Sequence, residues 1–130
     1  MQNLHLIRLE LAREADHPEG DRHHGYEFVA PLDVMGQLDL EAWRDARERC
    51  TVRRFHAREE ELHGHLVHRP GGVGGATWAF IYDDTSVEGE EETGFHFETH
   101  VFRQGEYVSI KEMDEELYTF LVVSVRPLDS

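Results

Sequence analysis

One cysteine, Cys50, and one lysine, Lys111, stand in a chain of 130 residues. A single thiol excludes an internal disulfide, so the core alone has to hold the fold, and a reducing cytoplasm is the expected compartment. Positive charge is scarce as well: 13 Lys and Arg against 27 Asp and Glu leave a formal net charge of -14. A field of that sign repels phosphate backbones and anionic lipid, which argues against nucleic-acid and membrane partners and for a basic protein partner. No stretch approaches the roughly 18 consecutive apolar residues of a membrane span. Met1 to Arg13 alternates apolar residues with His5, Arg8 and Glu10 and lacks the apolar run and cleavage site of a signal peptide. Internal repeats, low-complexity tails and interdomain linkers are absent, so residues 1–130 read as a single domain.

What is present suffices for a core. Hydrophobic residues make up 39% of the chain, with seven Phe, four Tyr and two Trp, too apolar a balance for a disordered segment. Alternation predicts strands at Leu4 to Arg13, Tyr26 to Leu32, Val52 to Arg58, Glu61 to His68, Thr77 to Tyr82, Phe95 to Phe102, Tyr107 to Lys111 and Leu117 to Arg126. Ala15 to Gly25, Arg69 to Gly75 and the acidic Asp83 to Gly94 have loop composition. One helix is expected near residues 39–50: Asp39 is an N-cap type, Glu41 lies in the first turn, and Arg47 and Arg49 suit the last. Leu40, Trp43, Ala46 and Cys50 share one side of it, which makes Cys50 a packed core thiol rather than a nucleophile. The expected fold is mainly β, α+β by count: a small, curved antiparallel sheet or barrel-like fold with that one helix.

Four segments carry a resemblance: His24 to Leu32 (HGYEFVAPL), Cys50 to Phe55 (CTVRRF), Leu66 to Gly72 (LVHRPGG) and Gly105 to Ile110 (GEYVSI). Together they resemble a family of small uncharacterised bacterial proteins, a likeness that would span His24 to Pro127. That family has no established activity, so the resemblance implies no site.

Chemistry is suggested most sharply by histidine and glutamate at strand spacing. Residues two apart on a strand share a face, with Cα atoms roughly 7 Å apart, so imidazole and carboxylate groups there can converge on one ion. Glu61, His63 and His65 share a face of one predicted strand, and His96, Glu98 and His100 share a face of another. If the two converge, His63, His65, His96, Glu98 and His100 become candidate ligands for a divalent transition metal such as Zn²⁺, Fe²⁺, Mn²⁺ or Ni²⁺. The competing explanation is a solvated face, because Leu62, Gly64 and Leu66 oppose the first set and Phe95, Phe97 and Val101 the second.

Gly71 to Gly75 has neither the Lys-Ser/Thr nor the helix start of a phosphate loop, and the acidic stretch does not match an EF-hand. Ser86, Ser109 and Ser124 lack the nucleophile elbow. Arg53, Arg54, His56 and Arg58 form a basic stripe whose expected role is pairing with the abundant carboxylates. Two function classes follow. The first is a small, acidic, cytoplasmic binding or interaction module without catalytic activity; the alternative is a metal-binding protein or metal-dependent enzyme.

Overall fold

The computed structural model describes residues 3–13, 18–69, 77–83, 91–95, 97 and 100–128. Eight strands follow one another as β1 (Leu4–Leu11), β2 (Asp21–Pro31), β3 (Thr51–His56), β4 (Glu59–Arg69), β5 (Thr77–Tyr82), β6 (Glu91–Phe95), β7 (Tyr107–Lys111) and β8 (Leu117–Pro127). Each pairs antiparallel with the next, and β8 returns to pair with β1 from His5↔Pro127 to Leu11↔Phe120, closing an up-and-down barrel. Closure leaves no sheet edge, so the backbone hydrogen bonds of every strand find a neighbour on both sides.

Between β2 and β3 lies the one α-helix among the described residues, α1 (Leu40–Ala46), continued by a 3₁₀ turn at Arg47–Arg49. As the sequence predicts, Asp39 caps it: its side chain accepts from the Ala42 N–H at 3.1 Å. Trp43 and Ala46 are its buried residues. The Trp43 indole N–H donates to the Leu66 carbonyl at 3.0 Å, tying α1 to β4. Cys50 is fully buried, and burial pushes its thiol up to about 11, which agrees with a packed core thiol.

The barrel interior is filled by its own side chains. Tyr26 and Phe28 from β2 meet Phe80 from β5, each with ring centroids 5.2 Å apart, and Tyr26 also meets Phe120 from β8 at 5.2 Å. Towards the helix end, Phe28 packs edge-on against Phe102 at 5.8 Å, and Phe102 against Phe97 at 5.1 Å. These edge-to-face pairs are the arrangement that ring quadrupoles favour. On the outer wall Arg53 bridges Glu27 and Glu61, and Arg8 bridges Glu10 and Glu27, across four neighbouring strands. Of the basic stripe, Arg53 and Arg54 pair with carboxylates, as expected. No helix among the described residues is long and apolar enough to cross a membrane.

Three sequence expectations need correction. The polar segment Ala15 to Gly25 is not all loop, since β2 already begins at Asp21. There Glu10 pairs with Gly25 but Leu11 with Asp21, a bulge that absorbs three residues and hides the alternation. The acidic stretch Asp83 to Gly94 is likewise not all loop, because Glu91 to Gly94 belong to β6. Finally, the predicted strand from Phe95 to Phe102 ends at its first residue. Phe97 and Phe102 are buried from outside any strand, where their rings plug the barrel end. Gly94 makes room for this, since a Cβ at that position would run into the Phe97 ring.

Candidate functional site

The interior changes character along the barrel axis. At the helix end it is apolar. At the opposite end, where the β3–β4 turn (Ala57–Arg58) and the β7–β8 turn (Glu112–Glu116) lie, it is built from six polar side chains: His24, Tyr26, Arg54, Tyr82, Glu92 and Glu112. Alternation places them. His24 and Tyr26 continue the inward face of Phe28 on β2, Arg54 follows Val52 on β3, Tyr82 follows Phe80 on β5, and Glu92 lies two residues before Gly94 on β6. Glu112 stands one residue past β7, two beyond the buried Ile110.

The two carboxylates organise the group. Glu92 is fully buried; its Oε1 accepts from the Tyr82 hydroxyl at 2.6 Å, and its Oε2 from the Met113 N–H at 3.2 Å. Glu112 receives His24 Nε2 at 2.9 and 3.1 Å and Arg54 Nη2 at 3.3 Å. The Tyr26 hydroxyl sits between them, 2.8 Å from Glu92 Oε1 and 2.5 Å from Glu112 Oε2. Because Nε2 faces a carboxylate, it carries the His24 ring proton. Arg54 also donates through Nη1 to Glu59 on the rim at 2.9 Å. Its Nε is the one buried side-chain nitrogen or oxygen among the described residues without a hydrogen bond, although Glu92 Oε1 is 3.3 Å away. The ion pair therefore exists as charge attraction with poor alignment.

Environment pushes the two carboxyl groups in opposite directions. Burial raises Glu92, and the neighbouring Glu112 charge adds to that effect against the opposing pull of Arg54. Burial acts on Glu112 in the same sense, but hydrogen bonds from His24 and Tyr26 and the charge of Arg54 outweigh it and leave its carboxyl below the ordinary range. Both phenols are raised, first by burial and then by the Glu92 charge. Two carboxyl groups held apart in acidity form the arrangement from which acid and base roles are usually built.

The residues singled out for metal binding are placed differently. His63 and His65 lie on the outer wall of β4, beside a shallow groove of about 350 Å³ that Thr51, Arg53 and Asp83 also line. Glu61 lies 3.7 Å from His63, and Asp83 lies 3.7 Å from His65. His100 is half-buried and belongs to no strand. His96 and Glu98 lie outside the described residues. Among the described residues no group of three or more His, Cys, Asp or Glu is placed to hold a metal ion.

Sequence reasoning missed the buried cluster, apart from expecting Arg54 to pair with carboxylates. One signal was available: His24, Tyr26 and Phe28 alternate, which extends the inward face of β2 into the supposed loop. No protein-family model, curated protein or solved structure matches this chain. The functional reading therefore rests on the chemistry of the barrel itself.

Proposed function

We propose that the chain is a binding module without catalytic activity, that its partner presents basic side chains, and that the barrel end above the polar cluster is the face that recognises it. The supporting observation is the uneven distribution of exposed charge. Six exposed carboxylates, Glu59, Glu60, Asp83, Asp114, Glu115 and Glu116, stand at that end against the exposed Arg58 and Lys111. Around the helix the exposed residues alternate in sign, with Glu41, Asp45 and Glu48 among Arg44, Arg47 and Arg49, so their fields largely cancel. The rim is anchored to the cluster beneath: Glu59 holds Arg54 at 2.9 Å, and Asp114 holds the Tyr118 hydroxyl at 2.6 Å. The ring of Tyr118 in turn packs on His24 with centroids 5.6 Å apart. Since aromatic side chains fill the barrel, recognition falls to this outer end rather than to an internal cavity.

The test is binding of a fluorescent oligoarginine peptide at physiological salt to two triple variants that lose the same charge. Glu60→Gln/Glu115→Gln/Glu116→Gln is expected to weaken binding by about tenfold, and Glu41→Gln/Asp45→Asn/Glu48→Gln by less than about twofold, because screened charges act over roughly 8 Å. Equal weakening by both variants would mean that only the net charge matters, and the proposed face would be wrong.

A further inference from the structure

The Tyr26 hydroxyl makes two contacts that one hydrogen cannot serve. Its oxygen lies 2.8 Å from Glu92 Oε1 and 2.5 Å from Glu112 Oε2, and oxygens that close each need a hydrogen between them. A phenol brings one hydrogen, and ionised carboxylates bring none. The other donors of the cluster are directed elsewhere: Tyr82 to Glu92 Oε1, the Met113 N–H to Glu92 Oε2, His24 Nε2 to Glu112, and Arg54 to Glu112 and Glu59. The account is one proton short.

We propose that the barrel contains a proton-binding site, in which Glu92 and Glu112 share a single proton at neutral pH through the chain Glu92–Tyr26–Glu112. The carboxyl of Glu92 donates to the Tyr26 oxygen, and Tyr26 donates its own hydrogen to Glu112. Placing the proton on Glu92 follows from position: it is fully buried, whereas Glu112 already receives His24 and Arg54. With that proton in place Glu112 is the one ionised carboxylate of the pair, and it faces the Arg54 guanidinium. Without it two carboxylates would face one arginine in a water-excluded interior, the arrangement that carboxyl pairs avoid by keeping a proton. The titratable and charged groups facing the site are His24 and Tyr26 from β2, Arg54 from β3, Glu59 from β4, Tyr82 from β5 and Glu112 after β7. His56 and Tyr118 stand behind His24, with ring centroids 4.7 and 5.6 Å away. The site does not depend on which partner the rim recognises.

Infrared spectroscopy of the folded protein at neutral pH tests this directly, because a protonated carboxyl has a C=O stretch well separated from the carboxylate bands. The wild type should show one such band, insensitive to Glu60→Gln and absent in Glu92→Gln, whose amide can still donate to Tyr26. Absence of the band from the folded wild type, or its survival in folded Glu92→Gln, overturns the proposal. Should Glu92→Gln fail to fold, Tyr26→Phe supplies the second reading. Loss of the hydrogen bond to Tyr26 must move the band, and an unmoved band overturns the proposal equally.

Discussion

Replacing Glu92 with glutamine should change how stability depends on pH, and the sign of that change follows from the site. Folding raises the pKa of Glu92 above its ordinary value of 4.5, chiefly through burial, so above that pH the folded chain holds a proton that the unfolded chain has lost. The stability contributed by this group is complete below about pH 4.5 and is lost as pH rises through the folded value. Each pH unit in that window costs about 1.4 kcal/mol, the free energy of one proton bound per molecule folded. Over that window the wild type should therefore lose about 1.4 kcal/mol per pH unit relative to Glu92→Gln, which carries no titrating group there. Glu112 works in the opposite sense and in another window: its carboxyl is held below 4.5, so its contribution is lost only as pH falls below that value. Urea denaturation of both proteins at half-unit steps of pH measures the difference. Parallel stability curves, or a difference that flattens well below neutrality, would refute the shared proton.

Other positions offer independent checks. At Gly64 an added Cβ would run into the Ile81 carbonyl oxygen and lie 2.7 Å from its carbon and from Tyr82 Cα, so Gly64→Ala should cost about 3 kcal/mol in urea melts. A loss under about 1 kcal/mol would show that β4 and β5 separate more easily than their close approach implies. Cys50, fully buried and with its thiol raised to about 11, should react with a thiol reagent at mildly alkaline pH about a hundredfold more slowly in the native than in the unfolded protein. Equal rates would contradict its place in the core. Removal of the helix cap in Asp39→Ala should lower stability by about 1 kcal/mol, and an unchanged melting curve would mean that α1 is held by Trp43 and its packing alone.

Several parts of this protein were written locally in its sequence. Tyr107–Lys111 and Thr77–Tyr82 have the predicted strand limits, the first because Val108 and Ile110 alternate with outward residues, the second because Trp78 to Tyr82 is a short continuous run of aromatic and apolar residues. Asp39 marks the helix start because a cap acts over three residues. The single thiol and the surplus of acid bound what the chain can be, and the pairing of the arginine stripe follows from that surplus. The start of β2 and all of β6 but Phe95 were not legible, since alternation identifies strands by their apolar inward face, and at one end of this barrel that face is polar. His24 and Glu92 therefore read as loop residues. The cluster itself joins residues up to 88 positions apart, as between His24 and Glu112. Their meeting was decided by the tertiary structure alone, through strand order and the return of β8 to β1. Only a closed barrel excludes enough water to make two carboxyl groups and one phenol compete for a proton.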